Sequence, residues 1–188
     1  DEQSGQIRDD GYELYQKMLE DAVAGIKSGA TEVSLGNDQW APQINLGVSV
    51  LIPDEYVPDL DVRLGLYRRL SSLDTKVELE GFAAELIDRF GDLPKEINTL
   101  LLIVRIKTMC HKAGISKLDG GPRGATIQFH NEKFESPGGL VAFLEDQRGL
   151  AKIKDNKLVI RRDWKRTSDK IKGAFTITFS AFNPFNRI

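Results

Sequence analysis

The run Glu85-Leu86-Ile87-Asp88-Arg89-Phe90-Gly91-Asp92-Leu93-Pro94 holds the end of one helix and the start of the next. Leu86 and Phe90 lie four residues apart, with Phe82 and Leu79 behind them, so all four share one helical face. Glu85 and Asp88, three apart, lie on another face. The apolar stripe can be buried while the carboxylates stay available to a partner. Gly91 falls just past the helix end, and Pro94 suits the first turn of the next helix. Upstream, Asp74-Thr75 closes a gap, and Thr75 with Glu78 fits a capping box.

The flanking segments extend this pattern. Pro58-Asp59 opens a helix whose buried stripe is Leu60, Leu64, Tyr67 and Leu70. After Pro94, the residues Ile97, Leu100, Leu101, Val104 and Thr108 continue a helix that Gly114 ends. Ile44, Leu46, Val48, Val50 and Ile52 alternate with other residues, which predicts a nine-residue strand stopped by Pro53. Ala125, Ile127 and Phe129 alternate as a second strand. Ser136-Pro137 opens a short helix with Leu140, Val141 and Leu144 inside. Lys152–Lys154, Asp155-Asn156 and Lys157–Ile160 read as a hairpin. In the tail, Ile171, Phe175, Thr178, Phe179 and Phe182 fit a helix, whereas Phe175, Ile177 and Phe179 alone fit a strand; a helix is expected.

Near the start, Tyr12, Tyr15, Leu19, Ala22, Val23 and Ile26 have helical spacing, and residues 28–42 read as a linker. The expected fold is therefore α+β: helices packed on a small mixed or antiparallel sheet, preceded by an amphipathic linker helix. The expected division is 1–35 for the leading helix and linker, and 36–188 for the main domain. Asp1-Glu2-Gln3-Ser4-Gly5 has no initiator Met and no signal pattern, so it reads as the middle of a longer protein. No apolar run approaches the roughly 18 residues of a membrane span.

Charge is unevenly distributed. Residues 1–100 carry 9 basic and 20 acidic side chains, and residues 101–188 carry 17 and 8. Such asymmetry marks a partner surface, two faces that attract each other, or simply solvated outer faces. Arg161-Arg162-Asp163-Trp164-Lys165-Arg166, with Lys170 and Lys172 after it, is the best nucleic-acid patch. There Trp164 could stack a base while the cations meet phosphate. The alternative is that Trp164 anchors the last element to the core and the cations face solvent.

Enzyme motifs are absent. There is no Gly-x-x-x-x-Gly-Lys-Ser/Thr phosphate loop and no Gly-x-Ser-x-Gly elbow. Gly120-Gly121-Pro122-Arg123-Gly124 reads as a turn joining a helix to a strand, the reverse of a phosphate-binding order. One cysteine, Cys110, and two histidines, His111 and His130, are too few for a Cys/His metal site, and Cys110 reads as a buried small hydrophobe. No catalytic, cofactor-binding or metal-ligating residue is therefore expected.

Several strings in order resemble the C-terminal, or TRCF, domain of bacterial transcription-repair coupling factors. They are Gln3–Ile7, Tyr12–Val23, Val50–Asp59, Arg63–Leu70 and, most densely, Glu85–Pro94. The resemblance fades after about residue 165, and Thr176–Ile188 departs from the family tail. It implies that residues 1–35 hold the tail of a translocase motor and a linker helix. It implies a bacterial cytoplasmic parent that couples ATP and Mg chemistry in its motor to translocation on double-stranded DNA. Such a parent displaces stalled RNA polymerase and recruits UvrA for nucleotide excision repair. This piece carries none of the motor's motifs and is not itself expected to hydrolyse ATP.

In the family, this domain restrains a UvrB-like N-terminal module and masks its UvrA-binding surface. The acidic residues that meet arginines of the module correspond to Glu85 and Asp88. Glu78, on the same helical face, extends the patch by spacing alone. An accessory DNA-binding domain using Arg161, Arg162, Trp164, Lys165 and Arg166 is the alternative function.

Overall fold

Two apolar cores organise the residues that the computed structural model describes, which are 40–48, 51–133 and 137–182. The first core is helical. Helix α1 (Leu60–Ser71) begins where the Asp59 carboxylate accepts the Val62 amide, at 2.9 Å. Helix α2 (Lys76–Phe90) begins with the full capping box: Thr75 accepts the Glu78 amide while Glu78 accepts the Thr75 amide. Gly91 ends α2 at a φ of 90°, which a side chain would resist. Helix α3 (Lys95–Lys112) follows Pro94 directly. Leu66, Tyr67, Leu70, Leu79, Phe82, Leu86, Ile97 and Leu100 fill the space between these helices.

The second core lies under a five-stranded sheet. Its strands are β1 (Gln43–Asn45), β2 (Ile115–Gly121), β3 (Gly124–Phe129), β4 (Ala151–Lys154) and β5 (Lys157–Arg161), in the order β1-β2-β3-β5-β4. Only the β1–β2 pair is parallel, so the sheet is mixed. Helices α4 (Pro137–Asp146) and α5 (Thr167–Phe182), with the C-terminal half of α3, supply the apolar partners of its inner face. α3 spans about 27 Å. Its Ile97, Leu100 and Val104 belong to the helical core, and its Ile106 and Cys110 belong to the sheet core. One helix therefore holds both halves together. Trp40, ahead of β1, stacks on His111 at the end of α3 and on His130 after β3, with ring centroids 4.9 and 4.3 Å apart.

The α+β class holds, and four local expectations change. Of the predicted nine-residue strand, β1 takes in Ile44 and Asn45; Gly47 then turns the chain at a φ of 63°, and Ser49-Val50 lie outside the described residues. Ile44 and Leu46 stay in the sheet core, while Ile52 crosses into the helical core. There its amide donates to the buried Tyr67 hydroxyl, at 2.6 Å. Second, Gly120–Gly124 joins strand β2 to strand β3, not a helix to a strand. β2 itself has no sequence-level counterpart, since a register shift at Ser116 breaks its alternation. Third, α4 buries Leu140 and Phe143 and leaves Val141 exposed. Fourth, α1 also buries Leu66 and Arg63, whose Nη1 donates to the Val57 carbonyl at 2.7 Å.

The β4–β5 hairpin turns through Asp155 and Asn156 at φ of 51° and 56°, as a two-residue primed turn requires. The tail is a helix, burying Ile171, Ala174, Ile177 and Thr178, with Phe175 and Phe179 half-buried and stacked. The predicted helix at 11–27, most of the 28–42 linker, the 35/36 boundary and Ser136 lie outside the described residues.

Candidate functional site

The C-terminal half of α2 is held from three sides. Its inner face carries Phe82 and Leu86, both buried. Its last turn is bound by Tyr56, whose hydroxyl lies 3.1 Å from the Leu86 carbonyl and 2.9 Å from the Gly91 carbonyl. Its flank is bound by Arg69, which reaches across from the end of α1.

Arg69 forms a two-pronged pair with Glu85, Nη1 to Oε1 at 2.8 Å and Nη2 to Oε2 at 2.6 Å. Arg89, one turn along α2, adds a third bond to Oε1 at 3.0 Å. The two guanidinium groups in turn lie over the rings of Phe82 and Phe90, at 5.2 and 4.9 Å. The hydrogen bonds from Arg69, then those from Arg89, pull the Glu85 carboxyl down to about 2. Glu85 is thus a tie between α1 and α2 before any partner arrives.

Asp88 differs. It is exposed, and among the described residues no cation or donor engages its carboxylate. It shares the outward side of α2 with exposed Ile87, Ala84, Gly81 and Val77. That side holds Asp88 as a free carboxylate among small and aliphatic groups, together with the exposed Lys76–Glu80 pair at 3.3 Å. Glu78 sits at the other end of the helix. Amides of Asp74 and Thr75 donate to its Oε2 at 3.0 and 2.8 Å, and these bonds, with the Thr75 hydroxyl, hold its carboxyl below the usual range. It serves the cap first.

The Glu85 cluster has a measurable signature. A carboxyl lowered in the folded state contributes stability above its unfolded pKa and loses it as pH falls through the folded value. The loss is therefore expected between about pH 4.5 and 2. Solvent screens these half-exposed pairs, so the contribution is on the order of 1 kcal/mol. Urea unfolding across that window should show a steeper drop in stability for the parent than for Glu85→Gln.

The basic stretch is dispersed by the fold. Trp164 is 6% exposed and belongs to the sheet core, leaving no ring face for a base. Arg162 donates to the Gln147 side chain and to the Arg161 carbonyl. Lys165 pairs with Asp163 at 3.2 Å, and Arg166 is exposed just before α5. Arg161 extends from the last position of β5. Cys110 is fully buried, and burial pushes its thiol up to about 12, which keeps it protonated and unreactive. Among the described residues, no cluster of His, Cys, Asp or Glu could hold a metal, and no helix is long and apolar enough to cross a membrane.

Arg69 and Tyr56 escaped the sequence reading. Both lie in strings that carry the resemblance, but nothing local assigns them to Glu85 or to the end of α2.

The TRCF-domain family model matches residues 46–140, which hold α1, α2, α3 and their Glu85 tie. The chain belongs to the TRCF-domain family. The transcription-repair-coupling factor of Rickettsia bellii is 48% identical over 160 residues, 85% of this chain and 14% of that protein. That of Escherichia coli K12 is 37% identical over 147 residues, 78% of this chain and 13% of that protein. The TRCF chain here thus spans about a seventh of the length of these curated relatives. A crystal structure of the C-terminal domain of a transcription-repair coupling factor superposes with a TM-score of 0.63 at 21% identity. The match covers 77% of this TRCF chain and 94% of that one, and shows the shared fold.

Proposed function

We propose that this TRCF domain is the regulatory, autoinhibitory end of a bacterial, cytoplasmic transcription-repair coupling factor. The parent is an ATP- and Mg-dependent DNA translocase that displaces stalled RNA polymerase at lesions and recruits UvrA. The domain clamps the parent's UvrB-like N-terminal module and masks its UvrA-binding surface. It needs no cofactor of its own. One observation carries this reading: Asp88 stands free on the outward side of α2, beside exposed Ile87. An arginine from the module gains a charge-assisted bond there, and the aliphatic groups supply modest apolar contact.

Glu85 contributes in a second way. Its carboxylate already holds Arg69 and Arg89, so an incoming arginine joins an occupied cluster. The gain per pair is small, which suits a clamp that a competing partner must open.

Calorimetric titration of this chain against the separately purified module tests the proposal. Salt-sensitive binding is expected, with Asp88→Lys weakening it at least tenfold, or about 1.4 kcal/mol. Glu85→Lys/Asp88→Lys should abolish it. Undiminished binding by the double variant would move the clamp off α2. A flexible fusion raises the effective concentration to about millimolar. No contact even in that fusion would reject the clamp.

A further inference from the structure

The two faces of the sheet differ in what they meet. One packs on α3, α4 and α5. No described element packs on the other. The strand register places the side chains on that open face row by row. One row reads Gln43, Lys117, Gln128, Lys157 and Lys154 across the five strands. The next reads Asn45, Asp119, Thr126, Val159 and Lys152. A third begins Gly121, Gly124 and Arg161. Five cations therefore share the face with one acid, Asp119. Lys117 pairs with that acid at 3.3 Å, and the Asn45 amide donates to it at 2.8 Å.

Among the described residues, no carboxylate pairs with Lys152, Lys154, Lys157 or Arg161. The nearby acids lie at the hairpin end: Asp155 in the turn, and Glu132, which accepts from Asn156. Lys154 and Lys157 stand directly opposite each other across the β4–β5 ladder. Like charges in that position destabilise a sheet unless an anion sits between them. At the other end of the face, Gly121 and Gly124 leave an open depression of about 870 Å³, lined by Arg123, Arg161 and Thr126 among others.

We infer that this open, lysine-rich sheet face binds the phosphodiester backbone of double-stranded DNA. The chemistry of the face selects that occupant. Protein interfaces are depleted in lysine and rest on buried aromatic or aliphatic anchors. Here the one aliphatic side chain in the three rows is Val159, itself half-buried. Lysines among small polar side chains are the composition of a phosphate-contacting surface. The same rows hold no aromatic ring, so the face cannot stack unpaired bases as single-strand binders do. A twisted five-stranded face spans about 19 Å across the strands, broad enough to lie along a duplex. The contact is independent of sequence. It is also separate from the clamp on α2 and stands or falls without it.

Fluorescence anisotropy of a short labelled duplex, titrated with the intact chain at several salt concentrations, tests this. Four unpaired cations predict a slope of about −3.6 in log K against log salt, or roughly 150-fold weaker binding between about 50 and 200 mM. Lys152→Gln/Lys154→Gln/Lys157→Gln should reduce the slope to about −0.9. These side chains are exposed, and removing Lys154 and Lys157 relieves a repulsion, so the variant should melt no lower than the parent. Lys76→Gln/Lys95→Gln on the helical layer should leave binding unchanged. The proposal is overturned by no duplex binding at the lowest salt, by equal binding of the triple variant, or by stronger binding of single strands. Capture of poly-glutamate without capture of duplex also overturns it, and gives the face to an acidic protein segment.

Discussion

Trp164→Ala should destabilise the domain by about 3–5 kcal/mol. The indole is 6% exposed and joins three elements. Its backbone amide donates to the Pro122 carbonyl in the β2–β3 turn, at 2.8 Å. Its ring lies against two glycines. A Cβ on Gly173 of α5 would overlap the ring, and one on Gly120 of β2 would come within 3.7 Å of it. The sheet end, the hairpin turn and the last helix therefore meet around one side chain. Glycines have no side chains with which to fill the space it leaves, so the cavity term should be near its full value. Domains of this size are stable by about 5–15 kcal/mol, so the loss is a large fraction of the total. Urea unfolding should show a lower midpoint with little change in slope. Unchanged stability would mean that the indole is not an anchor, and would return it to the role of an exposed base-stacking group.

Gly124→Ala is expected to cost on the order of 3–5 kcal/mol. Gly124 opens β3 at a φ of 120°, where a side chain is strained whatever the space. The space is absent as well. A Cβ there would overlap the Ile160 carbonyl oxygen and lie 2.8 Å from the Arg162 amide nitrogen. Both atoms belong to the backbone of β5 or the residue after it, so neither can rotate away. The β3–β5 ladder must open at its start, next to the Arg161 end of the basic face. Gly121 is the control. A Cβ there meets nothing within 4 Å, so Gly121→Ala should stay within about 0.5 kcal/mol of the parent. Thermal melts of the two variants side by side would separate loss of a specific conformation from a general effect of glycine replacement. Equal melting temperatures would show that the start of β3 is soft enough to adapt.

Features encoded within a few residues were legible. The Thr75–Glu78 box, the Gly91 stop, the α1–α3 stripes and the Asp155-Asn156 turn each rest on groups at most four apart, whose meeting is set by helix or turn geometry. The α+β class follows from them. Glu85 and Asp88 stand out for the same reason, since their spacing puts them on the polar side of a helix whose other side must be buried.

The roles of those two carboxylates were not legible. Arg69 lies 16 residues before Glu85, and only the way α1 packs beside α2 brings the two together. Nothing local separates an acid tied to its own domain from the free acid one turn later. Trp164 among cations reads equally as a stacking platform or a core anchor until Gly173 and Gly120 are placed around it. β2 hides because the bulge at Ser116 breaks its alternation, and its pairing partners lie on both sides of it in the chain. Four cations of the basic face, Lys152, Lys154, Lys157 and Arg161, come from one hairpin that the sequence shows, but only the register sets them on the same side of the sheet as Lys117 of β2. Short-range sterics and capping determine which elements form, and the sequence carries them openly. Which charges end up paired, buried or free depends on contacts between distant segments, and those are settled when the two cores pack.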